Sequence, residues 1–455
     1  MTNNKEAKLE EDKLSILPDT ILSHILSFLP TDEAIKTVLL RRFGTLWTYL
    51  PILNFDDSLL THLWPPDEEI NTNFFEFVHN VLTLHQQPTL DCFRVDISTV
   101  LYTDIKPQNL RHELDSWLTF ALRKRVKVLE FGFGMVEPDN ELYKLPFIVF
   151  LSDSIFKLKL FNIEMKLQKR VQMGSLRVLK LVYVSLNDDV FRQVIRGCPL
   201  LEEIEISNCW DLTEVDSPTL DVLKLDREMI AGEEIMKINC PELSSFNYTG
   251  CVNGLEIMNL SSLAHFVFNL SFTITEQEFK EFNQFQSVLS KLLHAKSVTL
   301  SSEFVTVLFS CILKDLSHVM FDWKLVELNI LLTHKHVSGL FHLLKNLLHL
   351  EKLVLNVTFW HSDYLKAVES EMDGCSLEKE EYCWSSLKTI VICNISECLY
   401  TVLVRLVEIL LKSSPVLDKL VIYCKDNDKT EQLAEFSKKL PTFAKASSTV
   451  KVLLI

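Results

Sequence analysis

The chain has 455 residues, 47% of them hydrophobic and 24% charged, with a net charge of −15. That is ample for a buried core and too polar for a membrane protein, and no stretch reaches the roughly 18 consecutive apolar residues of a spanning helix. The acidic balance repels a phosphate backbone, so nucleic-acid binding is disfavoured, and the densest basic cluster, Arg123-Lys124-Arg125, reads as a solvated loop or helix end.

Residues 1–11 are polar and read as a frayed tail without the apolar core of a secretory signal. The expected location is therefore cytoplasmic or nuclear and not secreted. Asn-x-Ser/Thr triplets such as Asn247-Tyr248-Thr249 then have no glycosylation role. The eleven cysteines include no Cys-x-x-Cys pair, and read as reduced, mostly buried thiols.

The stretch Lys13 to Leu50 carries Ile21, Leu22, Ile25, Leu26 and Leu29 at helical spacing. Leu17 and Pro18 open that helix, where a missing N–H costs nothing. Pro30 and Thr31 close it, and Asp32 is expected to cap a second helix through Ala34, Ile35, Val38 and Leu39. A third short piece carries Leu46, Trp47 and Leu50. Segments of about 40 residues seldom bury enough surface to fold alone, and here Leu14, Ile16, Leu17, Phe28 and Leu40 lie off the main stripe. Such a stretch either sinks into a larger core or is covered by another protein.

Leu17-Pro18-Asp19, Ile25 to Thr31, Val38-Leu39, Arg42 and Leu46-Trp47 together resemble the F-box in its plant form. Where the family usually carries a Ser-Lys-Arg-Trp-like run, this chain has Leu40-Arg41-Arg42-Phe43 and then Gly44. The resemblance implies docking on a Skp-type adaptor and, through it, a cullin. The adaptor-binding candidates are Leu17, Pro18, Ile21, Leu22, Ile25, Leu26, Leu29, Pro30, Val38, Leu39 and Trp47.

Pro51 to Asp57 leads into a second stretch. Asn73 to Leu84 is expected to be a helix, with Phe74, Phe75, Phe77, Val78, Val81 and Leu82 packed on the downstream chain. From Leu90 onward a motif recurs, with apolar residues at its first, fourth and sixth positions. It starts at Leu90, Val126, Ile155, Leu176, Leu201, Leu220, Leu243, Leu263, Ala295, Leu325, Leu350, Leu387, Leu417 and Val450. Its steps run from 19 residues (Leu201 to Leu220) to 37 (Leu350 to Leu387). Loose repetition of this kind is the signature of leucine-rich repeats. Each unit makes a short strand with one buried face and must stack on its neighbours, giving a parallel sheet. The longer steps leave room for helices, as at Asp188 to Arg196 and Ser338 to Leu348.

Cys198-Pro199-Leu200-Leu201-Glu202 is similar to the Cys-Pro-x-Leu-Glu repeat of plant F-box proteins. Trp384 to Ile390, a helix over Leu399 to Lys412, Ser414 to Ile422 and a polar helix over Lys429 to Lys439 resemble the FBD domain of the same proteins. Lys366 to Glu381 is acidic and reads as a loop. The predicted fold class is α/β: a three-helix F-box over 12–52, an irregular repeat solenoid over 53–365, and an FBD-like cap over 366–455.

No catalytic constellation stands out. There is no Gly-x-Ser-x-Gly elbow or Walker loop, and Gly132-Phe133-Gly134 lacks the rest of a dinucleotide fingerprint. His334 and His336, and Cys393 with Cys398, lack the further ligands of a metal site. No cofactor or metal is expected, and neither nucleic acid nor membrane is an expected partner.

The resemblance implies a non-catalytic ubiquitin-ligase subunit that works by proximity. Target-binding candidates flank the buried strand positions: Lys157, Lys159 and Phe161; Glu203, Glu205 and Ser207; Ser245, Asn247 and Thr249. The rival readings are a repeat scaffold that delivers no ubiquitin and a small-ligand receptor. The receptor calls for a basic cluster on the open face, and the sequence displays none.

Overall fold

The computed structural model describes residues 16–37, 44–57, 70–97, 110–134, 142–167, 170–228, 235–251, 254–270, 282–305, 319–330, 334–358, 382–395, 400–424 and 431–455. Val38, Leu39, the Leu40-Arg41-Arg42-Phe43 run, Cys398 and the Lys366–Glu381 stretch lie outside these residues. The chain divides into two compact units, Met1–Leu212 and Thr213–Ile455.

The first unit opens with helix α1 (Asp19–Leu26). The Pro18 carbonyl accepts from the N–H groups of Ile21 and Leu22, at 2.9 and 3.1 Å. Helix α2 (Thr31–Lys36) follows Pro30 directly. Asp32 therefore sits inside the first turn and does not cap it; its carboxylate faces Lys36 at 3.2 Å. The place next to Pro30 is taken by Thr31, which is buried, and its Oγ1 accepts the Asn54 N–H at 2.6 Å. Leu46–Tyr49 forms a 3-10 turn.

Strand β1 (Ile52–Asp56) comes next, ahead of the first motif read from the sequence. Leu50, Leu53 and Phe55 are its first, fourth and sixth positions, all buried, so the repeat pattern starts earlier than Leu90. The unit continues with α3 (Ile70–Leu84), β2 (Cys92–Ile97), α4 (Arg111–Arg123), β3 (Val128–Phe133), β4 (Tyr143–Lys144), β5 (Lys157–Phe161) and β6 (Ile163–Glu164). It ends with β7 (Val178–Val182), α5 (Asp188–Gly197) and β8 (Glu203–Ser207). Strands β1-β2-β3-β5-β7-β8 are adjacent in chain order, each pair parallel. Strand β4 pairs with β6 in a small sheet of their own.

Period-two alternation explains the strands. On β5, Leu158 and Leu160 are fully buried, as are Leu179 and Leu181 on β7. Each such side chain stabilises the fold by about 1.5–3 kcal/mol relative to exposure. After the strands the backbone turns through left-handed conformations at Asn162, Tyr183 and Asn208, a region asparagine tolerates better than most residues. The Asn162 amide donates to the carbonyl of Phe133 at 3.0 Å, tying the turn to the preceding layer. Helix α5 is capped by Asn187, whose Oδ1 accepts from Val190 N–H at 3.0 Å.

The second unit contains β9 (Glu214–Asp216), β10 (Val222–Asp226), β11 (Met236–Asn239), β12 (Ser245–Gly250), β13 (Leu255–Asn259), β14 (His265–Leu270), α6 (Phe282–Leu292), β15 (Ser297–Leu300) and β16 (Leu325–Ile330). Then come α7 (His334–Lys345), β17 (Lys352–Val357), β18 (Thr389–Ile395), α8 (Tyr400–Ser413), β19 (Lys419–Cys424), α9 (Glu431–Lys439) and β20 (Lys451–Leu454). Strands β10-β12-β14-β15-β16-β17-β18-β19-β20 again follow chain order, and β13-β11-β9 form a second sheet.

Two motif registers differ from expectation. On β16, Val326 pairs with Leu353 and Leu328 with Leu355, so the anchor is Trp323, not Leu325. Trp323 is fully buried, and its indole N–H donates to the Leu292 carbonyl at 2.8 Å. On β20, Val452 aligns with Leu420 and Leu454 with Ile422. Reading the motif from Val450 slips it by one residue and exchanges the faces. Leu453 and Ile455 therefore lie on the opposite side, 40% and 63% exposed.

Candidate functional site

Helix α1 separates its apolar residues into two adjoining stripes. Leu22 and Leu26 are buried where α1 packs against the 3-10 turn, and Trp47, Leu46 and Leu50 are buried with them. Ile21 and Ile25, one position behind on the helical wheel, remain 45% and 39% exposed. The stripe extends to Phe28 and Leu29, at 74% and 42%, and Ile16 adds a further 71%. Pro18 is exposed, while Leu17 and Pro30 are half-buried.

The candidates named from the sequence thus divide by position. Leu22, Leu26 and Trp47 build the module's interior, whereas Pro18, Ile21, Ile25 and Leu29 face outward. Ile16 and Phe28 belong to the outward set and were left out of it. Their signal was the departure from the main stripe, which reads as surplus apolar area. Isolated exposed apolar residues are ordinary, but a contiguous run of them marks a contact surface.

The module is fastened to the first repeat at several points. The Thr48 carbonyl accepts the N–H groups of Gln86 and Gln87, at 2.7 and 3.3 Å. His85 is buried, its ring edge-on to Phe120, with Nε2 2.9 Å from the Leu50 carbonyl. Only an N–H can face that carbonyl, so Nε2 carries the proton, and the buried Nδ1 has no hydrogen-bond partner. Burial lowers the His85 pKa, and the Lys124 charge adds to the effect although the Leu50 hydrogen bond opposes it. The Lys124 ammonium donates to the carbonyl of Gln87 at 2.7 Å.

The second surface is the outward face of the sheet. In the first unit, Lys157, Lys159 and Phe161 share that face with Glu203, Glu205 and Ser207, all half-buried. Pairing through β7 aligns Lys157 with Glu203 and Lys159 with Glu205. These charges largely satisfy one another. Lys157 meets Glu130 at 2.7 Å, Arg94 lies 3.9 Å from the same carboxylate, and Lys180 pairs with Glu205. Burial pushes the Glu130 carboxyl up, but Lys157, Lys159 and Arg94 outweigh it and hold the group below its usual range. Lys159 lies 5.7 Å from the ring centroid of Phe161.

In the second unit, Ser245, Asn247 and Thr249 occupy the same face of β12. Thr249 accepts from the Asn269 amide at 3.5 Å. Further along, Asn356 donates to Glu327 at 2.6 Å and to Asn329 at 3.2 Å.

Burial pushes the thiols of Cys198, Cys209 and Cys240 up to about 12, so they stay protonated at neutral pH and are poor nucleophiles. Among the described residues no group of His, Cys, Asp and Glu is placed to hold a metal ion. Nor is any described helix long and apolar enough to cross a membrane. The arrangement can present surfaces to partners.

A family description, the LRR domain of At1g61320/AtMIF1, matches residues 81–450. The F-box/LRR-repeat protein At4g14096 of Arabidopsis thaliana is 27% identical over 485 aligned residues, covering 98% of this chain and 95% of that one. F-box/LRR-repeat protein At4g14103 of the same plant is 29% identical over 371 residues, 75% of this chain and 91% of its own. The Arabidopsis F-box/FBD/LRR-repeat protein At5g56420 is 31% identical over 229 residues, about half of each chain, at 49% and 50%. With parallel strands stacked in chain order and one recurring motif anchoring them, the chain belongs to the plant F-box/leucine-rich-repeat family, some members of which also carry an FBD.

Proposed function

We propose that this chain is the substrate-recognition subunit of an SCF-type, cullin-based ubiquitin ligase. Its N-terminal module docks on a Skp-type adaptor, and the outward face of its repeat sheet binds a target protein. The observation that carries the reading is the outward stripe of Ile21, Ile25, Phe28 and Leu29, lying beside an inward stripe already used by the module's own core. An apolar surface of that kind on so small a module calls for a covering protein.

The subunit itself carries out no bond chemistry. It raises the local concentration of a target lysine near a ubiquitin-loaded enzyme, a matter of proximity and orientation. Residues 12–52 serve as the docking module, 53–365 as the repeat array and 366–455 as an FBD-like end. The setting is the cytoplasm or nucleus.

The test is capture of a purified Skp-type adaptor by the full chain, compared with an Ile21→Asp/Ile25→Asp variant that retains the parent's thermal melt. Loss of capture in the variant is expected; undiminished capture removes the delivery role. A chain that binds the adaptor no better than background, yet still binds a target, is a scaffold instead.

A further inference from the structure

The outward face changes character at the C-terminal end of the second unit. Lys352 on β17, Thr389 on β18, Lys419 on β19 and Lys451 on β20 are register partners in turn. One row further along the strands stand Val354, Val391, Val421 and Leu453, also in register, with Val421 only 3% exposed and the other two valines half-buried. Beyond them Tyr423 and Ile455 are 43% and 63% exposed, and Leu453 itself is 40% exposed. All three lysines are exposed, and none forms an ion pair with a described residue.

This differs from the first unit, where Glu130 and Glu205 meet the lysines beside them. On β17 to β20 no outward side chain is a carboxylate. Among the described residues, the nearest acids are accounted for or set apart. Glu351 pairs with Lys388 at 2.9 Å, Glu327 on β16 is held by Asn356, and Asp418 precedes its strand. A basic row thus borders an apolar row in a chain whose net charge is −15.

We infer that the outward face of β17 to β20 is the docking site for an extended, acidic peptide segment with interspersed apolar side chains, presented by a target protein. Carboxylates of that segment meet Lys352, Lys419 and Lys451, and its apolar residues lie on Val391, Leu453 and Tyr423. Three strand spacings of about 4.8 Å give a site roughly 14 Å long, the reach of about four extended residues. The overall negative charge disfavours acidic segments elsewhere on the chain, so the lysine row supplies register and specificity more than bulk attraction. The inference rests on the sheet's outward face being the target surface, but not on adaptor docking.

The experiment is fluorescence anisotropy of the full chain with a labelled octapeptide of alternating glutamate and leucine. The expected result is saturable binding that weakens with added salt and is absent for the matching lysine–leucine peptide. Lys352→Glu/Lys419→Glu/Lys451→Glu weakens it by about tenfold or more, as expected for reversing several facing charges. Tyr423→Ser/Leu453→Ser weakens it without altering charge, and Lys237→Glu, on the exposed side of β11 in the second sheet, leaves it unchanged. Adaptor capture is the same for all these variants, which separates failure here from failure of the docking module. Absence of binding at about 0.1 mM, a standard free energy near −5.5 kcal/mol, overturns the inference. So does equal binding by the triple variant, or self-association through β20 with no peptide bound.

Discussion

Gly132 on β3 faces Phe161 on β5 so closely that a Cβ at Gly132 would lie 2.2 Å from the Phe161 carbonyl oxygen. The two are register partners, and the aromatic ring occupies the space a side chain would need, with its Cγ at 2.6 Å. Backbone oxygen cannot swing aside as a flexible side chain can. Gly132→Ala is expected to destabilise the first unit by about 1–3 kcal/mol, the usual cost of forced overpacking. Urea denaturation of the two proteins measures it, and a change within about 0.5 kcal/mol, the range of neutral surface substitutions, contradicts the close approach.

The two stripes of α1 make opposite predictions. Leu22→Ala removes a fully buried side chain and is expected to cost about 2–5 kcal/mol of stability. Ile25→Glu falls on the outward stripe and should leave the melt within a degree or two, since exposed positions change stability little, while abolishing adaptor capture. Thermal melts and capture assays on the two variants separate interior from interface. If Ile25→Glu unfolds the module and Leu22→Ala does not, the assignment of faces is reversed.

Stability should fall on mild acidification because of His85. Its folded pKa is lowered from 6.5, so below that value the unfolded chain binds a proton the folded chain refuses. The His85 contribution is complete above about 6.5 and is lost as the pH falls toward the folded value, below which the slope vanishes. His85→Gln keeps a donor for the Leu50 carbonyl and cannot titrate. The prediction is a urea midpoint that drops between about pH 7.5 and 5.5, on either side of the histidine range, and drops less in His85→Gln. Parallel pH profiles would place the titration elsewhere.

Trp323 gives a stability test of the corrected β16 register. Trp323→Ala should cost about 3–5 kcal/mol. Trp323→Phe keeps most of the volume and gives up the hydrogen bond to Leu292, for about 1 kcal/mol. By contrast, Leu325 lies on the outward face, half-buried, and Leu325→Ala should cost less than either. Chemical denaturation of the three variants checks the order, and a Leu325 effect as large as that of Trp323→Ala would restore the register read from leucines alone.

These cases mark how far the sequence could be read. Alternating leucines at Leu158-Leu160 and Leu179-Leu181 announce strands without ambiguity, because two buried side chains per turn leave no other period. The anchor position is less distinctive: a tryptophan fills it at Trp323, and Leu325 two residues on mimics the usual leucine anchor. At β1, Pro51 disguised a strand that begins one residue later. The division of α1 into inward and outward stripes could not be read, since Ile21, Leu22, Ile25 and Leu26 are equally apolar and only packing against the 3-10 turn tells them apart. The lysine row was hidden for a different reason. Lys352, Lys419 and Lys451 lie far apart in sequence, and strand pairing alone makes them neighbours.

The Thr48 to Gln86 and Leu50 to His85 bonds have a mechanical consequence. They clamp the 3-10 turn, against which α1 packs, to the residues between α3 and β2, so a partner seated on the first unit would keep a constant lever arm to whatever grips α1. The length of that arm is then set by how many layers intervene, as rungs set the height of a ladder, and inserting or deleting a layer would change it.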